Sequence, residues 1–224
     1  MINTVFIDID NTLLCFNKNA RIALKNAFIK NGVPFKEEFL PKFLKVNEGL
    51  WKQVERKEIT REELHKIRFH LVMDELGVSG DADKTEAEFR KQLFVLAETV
   101  DGAKETLEYL SAKYKVCAAS NAVYEQQINR LKLAGLYDYF YKIFVSEEIG
   151  YNKPSKEFFN ICLNRAGTSA ENTIMIGDSL SADIEGAKNV GIKTVWYNHN
   201  GIPVPNEKTY DYYIDKLIDV KKLI

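Results

Sequence analysis

Two aspartates one residue apart, Asp8 and Asp10, close the apolar run over residues 2–9 in the opening stretch MINTVFIDIDNT. Carboxylates so placed can serve as nucleophiles, proton carriers or ligands for a hard cation. Three further polar clusters follow short apolar runs: Ser120-Asn121 after KVCAA, Lys153-Pro154 after KIFV and before a helix, and Gly177-Asp178-Ser179 with Asp183 after NTIMI. Taken singly, each has an ordinary explanation. Ser and Asn cap helices, Lys-Pro reads as a solvated lysine beside a first-turn proline, and Gly-Asp is a common turn pair. Asp183 alone reads as a surface acid near a helix start. Asp8 resists such treatment, because it follows a run that must be buried and acids are almost never buried without a partner. If the strand continues, Asp10 points the same way. Two carboxylates about 4 Å apart repel by about 4 kcal/mol at an effective dielectric near 20. Asp8, Asp10 and Asp178 together therefore require a retained proton or a bound cation. An all-oxygen ligand set suits Mg²⁺, which keeps several waters and bridges to substrate phosphates. Lys153 brings a second positive charge, and Ser120 a hydroxyl at a helix N-terminus, where anions are favoured. One metal, one carboxylate nucleophile and donors for an anion describe phosphoryl transfer through an aspartyl-phosphate.

The elements that position these residues alternate. The β-branched and aromatic content of residues 2–9 predicts a buried strand. After Asp101-Gly102 the pattern predicts helix 103–113, strand 115–119, helix 122–134, strand 142–145, helix 155–166, strand 172–176, helix 181–190 and strand 193–197, then a short strand and a terminal helix. Short apolar strands alternating with helices imply an α/β fold, a doubly wound Rossmann-like parallel sheet covered on both faces. Between strand one and this block the periodicity is helical. Ala20, Leu24, Ala27 and Phe28 share a face closed by Asn31-Gly32, Thr60 with Glu63 forms a capping-box pattern ahead of Leu64, Ile67 and Leu71, and residues 85–97 also read as helix. The expected organisation is a catalytic core of residues 1–16 and 99–224 with a helical cap of residues 17–98 inserted after the first strand. Such an insertion would stand above the carboxyl ends of the strands, where these sheets bind ligands.

The chain has 224 residues, ample for a buried core, with 46% hydrophobic residues and 31 basic against 32 acidic side chains. That balance gives no general attraction to nucleic acid polymers or anionic membranes. The apolar runs are far too short to span a bilayer, and the acidic opening is unlike a secretory leader, so a cytoplasmic, globular protein is expected. Cys15, Cys117 and Cys162 are too scattered for a disulfide framework or a CxxC site and read as buried, reduced thiols. His65, Arg68 and His70 are not spaced as zinc ligands and read as surface or cap polar residues, and His199 as a solvent-exposed loop residue.

Written out in order, DIDNTLL, ASN, NKPS and GDSLSAD resemble the four motifs of the haloacid-dehalogenase-like hydrolase superfamily, and the helical block resembles the cap that such enzymes insert after motif one. The resemblance implies that Asp8 is the nucleophile and Asp10 the general acid and base. It implies that the Asp8 side chain, the Asp10 backbone carbonyl and the Asp178 side chain hold Mg²⁺. Ser120, Asn121 and Lys153 would bind the phosphoryl group, Lys153 would also offset charge on Asp8, and Asp183 would orient metal waters or Lys153. Halide displacement needs no acid for the leaving group, so the presence of Asp10 favours a phosphatase. The stretches IFVSEEIGYNKPSKEFF and GIKTVWYNHNG are similar to the house-cleaning pyrimidine 5'-nucleotidase subgroup, which acts on pyrimidine and non-standard nucleoside monophosphates. The chain departs from that pattern at Ile9 and at Asn152, where a small residue and Ala are usual. Phe16, Trp51, Lys52 and Arg56 are candidates for contacting the base, set against an ordinary core role for the aromatics. A sugar-phosphate phosphatase or a phosphomutase would share the core motifs, and a module that only binds phosphorylated ligands is the non-enzymatic alternative, although pure binding has no use for Asp10. The expected partner is a small phosphorylated metabolite, met by a monomer or a homodimer.

Overall fold

The computed structural model describes residues 1–204 and 209–224, which form two compact units: Met1–Cys15 with Glu98–Ile224, and Phe16–Ala97. The first is built on six strands, β1 (Thr4–Ile7), β2 (Lys115–Ser120), β3 (Lys142–Val145), β4 (Thr173–Gly177), β5 (Lys193–Tyr197) and β6 (Tyr212–Ile214). They lie in the order β3-β2-β1-β4-β5-β6 and every neighbouring pair is parallel. The doubly wound parallel sheet read from the sequence is thus the observed fold. Side chains alternate between its two faces as the period of a strand requires. Val5, Ile7, Ala118, Ile174, Ile176 and Val195 pack with Leu107 and Leu110 of α5 (Ala103–Ser111) and Leu131 of α6 (Tyr124–Leu133). Phe6, Cys117, Ala119 and Met175 face the other way, onto Phe158, Phe159 and Cys162 of α8 (Lys156–Ala166). Both faces are covered, which is why the strands read as unbroken apolar runs.

From β1 the chain winds outward to β2 and β3, then returns to β4 on the other side of β1. The direction of winding reverses between β1 and β4, and the crevice at the carboxyl ends of these strands is where such sheets bind ligands. Asp8 follows β1 and Asp178 follows β4.

Several elements differ from the periodicity reading. Strand one stops at Ile7 instead of continuing, and the chain turns at once: the N–H groups of Leu13 and Leu14 both donate to the Ile9 carbonyl, with Asn11 at φ 62°. Asp10 therefore lies on a turn and not two residues further along the strand. The helix expected over 181–190 is a π-helix over Leu180–Glu185, followed by a single α-turn, α9 (Gly186–Lys188). The N–H groups of Asp183 and Ile184 both reach the Ser179 carbonyl, at 3.1 and 3.2 Å, which widens the turn. A four-residue helix, α7 (Ser146–Ile149), follows β3, and the tail beyond β6 is a 3₁₀ turn over Leu217–Lys222. Of the three free cysteines, Cys117 and Cys162 are buried and Cys15 is only half-buried.

The second unit consists of α1 (Phe16–Lys30), α2 (Phe39–Glu55), α3 (Arg61–Leu76) and α4 (Ala82–Val95). The Thr60–Glu63 capping box starts α3, and Gly77, in the left-handed region, stops it. Phe28, Phe39, Phe43, Phe69 and Phe89 make an aromatic core. Arg68 lies inside this core, only 3% exposed, and corrects the surface reading. Its guanidinium donates to both Glu86 oxygens, at 3.0 and 2.7 Å, and to Asn47 Oδ1 at 2.9 Å, while covering the Phe89 ring. His65 beside it is pushed down to about 3 by burial and by Arg68, Arg90 and Arg61. His70 is exposed and meets Asp83 at 3.2 Å. Among the described residues, no helix is long and apolar enough to cross a membrane.

Candidate active site at the carboxyl ends of the strands

Lys153 organises the site. Taken alone, its sequence context suggests a solvated lysine beside a helix-starting proline, whereas the motif resemblance implies a cation that offsets charge on Asp8; the structure leaves it 2% exposed, with Ser155 as the cap of α8 through its bond from the Phe158 N–H. Its ammonium has three protons and three acceptors: Asp8 Oδ1 at 2.7 Å, Asp183 Oδ1 at 2.6 Å and the Ala119 carbonyl at 2.7 Å. A buried ammonium so surrounded holds its proton well above the ordinary range: Asp183 and Asp8 outweigh the opposing effect of burial. Asn121 fixes the lysine's main chain. Its Oδ1 accepts from the Lys153 N–H at 2.8 Å, and its Nδ2 donates to the Lys153 carbonyl at 2.9 Å. Both polar atoms of Asn121 are thereby committed to Lys153.

Asp8 is pushed up to about 7, first by burial and then by Asp183, against the lowering effect of Lys153. Asp183, 1% exposed, is pushed up to about 6 for the same leading reason, again with Lys153 opposing. Asp178 is also raised, by burial and by Asp8, and lies 3.7 Å from His199 Nε2. His199 stacks on Tyr197 and is only partly exposed, a correction to its reading as a solvent-facing loop residue. Trp196 Nε1 donates to the Asp178 carbonyl at 3.0 Å and so anchors the loop that carries this carboxylate. Gly177 is required by close approach: a Cβ there would stand 2.2 Å from Asp183 Oδ2.

One oxygen from each of Asp8, Asp178 and Asp183 lies within 4.8 Å of the others. This donor set is all carboxylate and suits a hard divalent cation such as Mg²⁺. Asp183 already has Oδ1 on Lys153 and Oδ2 accepting from the Ser179 N–H at 3.1 Å, so Asp8 and Asp178 are the two with oxygens to turn to a cation. With Asp10 included, four carboxylates face the two cations Lys153 and Arg130, and one divalent cation balances the remainder.

Asp10 is separate from this cluster. Its Oδ1 accepts from Arg130 Nη1 and its Oδ2 from Gln127 Nε2, both at 2.7 Å, and Gln127 Nε2 also donates to Ser120 Oγ at 2.9 Å. The repulsion between Asp8 and Asp10 argued from their spacing is thus met by a separate cation for each. Arg130 and Gln127 escaped the sequence reading, although a signal existed: they stand three apart on the stripe of α6 that should be apolar.

The four residues considered for substrate contact lie in the helical unit. Phe16 packs against its aromatic core, Trp51 against Leu50, Val54 and Leu64, exposed Lys52 pairs with Glu48 at 2.6 Å, and Arg56 caps the end of α2, 3.7 Å from Glu58.

Known proteins resemble this chain over most of its length. The profile described as haloacid dehalogenase-like hydrolase matches residues 2–191. YfnB of Bacillus subtilis, a HAD-hydrolase by name, is 33% identical over 222 residues, covering 99% of this chain and 94% of that protein. Its solved structure, bound to magnesium, superposes with a TM-score of 0.92 over 99% of this chain and 98% of that one. The pyrimidine 5'-nucleotidase PynA of Streptococcus pneumoniae is 34% identical over 213 residues, 93% of this chain and 90% of that protein. The pyrimidine 5'-nucleotidase YjjG of Escherichia coli is 28% identical over 221 residues, 98% of this chain and 96% of that protein.

Proposed function

The chain belongs to the haloacid dehalogenase-like hydrolase family and is a phosphoric monoester hydrolase, and from that premise we propose that it is a Mg²⁺-dependent 5'-nucleotidase acting on nucleoside monophosphates, pyrimidine or non-standard, through an aspartyl-phosphate. The observation that carries the mechanism is the division of labour between the two aspartates: Asp8 is buried against Lys153, while Asp10, 29% exposed, is held by Arg130 and Gln127. Asp8 attacks phosphorus, the bond to the ester oxygen breaks, and Asp10 delivers its proton to that oxygen. Water then attacks the phosphoryl group, gives a proton to Asp10, and displaces the Asp8 carboxylate with release of inorganic phosphate. Ser120 donates to a phosphoryl oxygen, Lys153 sets its positive charge beside Asp8 to offset the charge gathered there, Asn121 holds Lys153 in place, and Asp183 keeps the ammonium turned toward Asp8. A divalent cation held by Asp8, Asp178 and the Asp10 carbonyl supplies charge neutralisation for the phosphoryl oxygens when bound.

The names of PynA and YjjG support the substrate class, and we assign base selection to the helical unit, with Phe16, Trp51, Lys52 and Arg56 as its candidates. The test is phosphate release from a panel of nucleoside monophosphates and sugar phosphates, with Mg²⁺ and with chelator. Magnesium-dependent release fastest on pyrimidine monophosphates supports the full reading. A preference for sugar phosphates keeps the chemistry and discards the nucleotidase, and Asp8→Asn with near-wild-type turnover discards the nucleophile.

A further inference from the structure

The inward stripe of α6 carries a glutamine and an arginine, both fully buried, where the packing of the sheet face would accept leucines. Burying a guanidinium costs several kcal/mol unless it is well paired, so the arrangement of its partners is informative. Arg130 Nη1 donates to Asp10 Oδ1 at 2.7 Å and to Gln127 Oε1 at 3.0 Å. The second contact fixes the amide: Oε1 faces the guanidinium, so Nε2 faces Asp10 Oδ2 and Ser120 Oγ. Reversing the amide would set its oxygen against a carboxylate. Both oxygens of Asp10 are therefore gripped from one helix on their inward side, while the side chain as a whole stays 29% exposed. Ser120 is committed in the same way. Since Gln127 donates to its oxygen, the Ser120 O–H is left to donate elsewhere.

We propose that Arg130 and Gln127 are positioning residues that couple the proton carrier Asp10 to the phosphoryl-binding hydroxyl of Ser120, holding both in one register for each half of the reaction. The proposal rests on the reading of Asp10 as the proton carrier. Arg130 exchanges no proton, and its part is to fix where Asp10 presents one. Nothing in the motifs assigns this role, because both residues lie on the helix beyond Ser120-Asn121. The rigid fork of a guanidinium suits it better than the single point charge of lysine.

The consequence depends on the leaving group. An alkoxide leaving from a nucleoside monophosphate needs the proton of Asp10, whereas p-nitrophenolate leaves without one. Hydrolysis of the aspartyl-phosphate needs Asp10 as base in either case. With saturating Mg²⁺, Arg130→Met lowers kcat on a nucleoside monophosphate by about 10²-fold, the scale of a general acid–base contribution, with KM changed by less than about threefold. On p-nitrophenyl phosphate the same variant releases one equivalent of nitrophenolate per enzyme in a burst, followed by a slow steady rate. In an Asp10→Asn background, adding Arg130→Met lowers kcat by less than about threefold, since the residue it positions is already lost. Circular dichroism reports folding, and should Arg130→Met fail to fold, Gln127→Leu and Arg130→Lys carry the same cycle. Wild-type kcat in Arg130→Met, a loss of equal size with and without Asp10, or the absence of a nitrophenolate burst overturns the proposal. Failure of the wild-type protein to release phosphate from any ester is a different result: it overturns the phosphatase reading, and this inference falls with it.

Discussion

Lys153→Met removes the cation from between two buried carboxyls and leaves their geometry otherwise intact. In the wild-type protein its ammonium contacts Asp8 and Asp183 at 2.7 and 2.6 Å, with all three residues buried. Breaking such a pair from one side costs about 3–5 kcal/mol. The cost depends on pH, and its sign follows from the protonation of the two acids. Folded Asp8 and Asp183 sit at about 7 and about 6, above the ordinary value of 3.8. Between about pH 4 and pH 7 the folded protein therefore holds protons that the unfolded chain has released, and the contribution of these groups to stability falls as pH rises through that window. Lysine 153 lowers both values, so its loss raises them and carries the fall to higher pH, by about 1.4 kcal/mol per pH unit for each carboxyl. At pH 8 the variant is expected to lose about 3–5 kcal/mol, or about 6–20 °C in Tm at about 2–4 °C per kcal/mol for a chain of this size. At pH 5 both acids are protonated in either protein and the loss shrinks to about 1 kcal/mol or less. Thermal unfolding in chelator at the two pH values is the assay. A Tm difference that is equal at both, or larger at pH 5, would refute the account of Lys153 as the counter-ion of Asp8 and Asp183.

Gly177→Ala forces Asp183 away from the Cβ that would otherwise stand 2.2 Å from its Oδ2. A displacement of about 1 Å at that carboxylate loosens Lys153 and is expected to lower kcat by about 10²-fold in a protein that circular dichroism still finds folded. Mg²⁺ affinity is expected to rise with pH up to about 7 and then level off, because the cation must displace the proton of Asp8. Calorimetry in two buffers of different ionisation enthalpy checks this, through proton release at pH 6 that vanishes above pH 8. In the helical unit, Glu86→Ala leaves the buried guanidinium of Arg68 without its two charged bonds and is expected to cost about 3–5 kcal/mol. Urea unfolding at pH 7 followed through that unit reads it, and a midpoint within error of wild type counts against a buried pair.

The strands and their order of chemistry were legible because a parallel sheet covered on both faces demands continuous apolar runs, and each run here ends on polar residues. β3 and β5 fall on the residues that the pattern of KIFV and KTVWY marks. Illegible features were those decided by tertiary partners. Lys153 follows a loop and precedes a proline and a cap, so local pattern makes it solvated, and only the arrival of Asp8 from 145 residues away buries it. Arg68 and Arg130 break otherwise apolar stripes, and each is compensated by an acid from another element, Glu86 and Asp10. A basic residue on an inward stripe is the trace such pairs leave in a sequence. The π-turn at Leu180–Glu185 left none, because its residues serve equally well in an ordinary helix.

The place of β1 in the sheet has a bearing on how the chain is made. Its neighbours lie far along the sequence: Ile7 pairs with Ala118, 111 residues later, and with Ile176, 169 residues later. Emerging from the ribosome ahead of both partners, this segment cannot pair with them until β2 and β4 have been synthesised. The four helices of Phe16–Ala97, which form a compact unit of their own, can collapse in the interval. β1 is accordingly locked on both sides only once β4 has been made, and with it Asp8. A chain arrested before β4 would present a folded helical unit beside a core whose nucleophile is not yet in place.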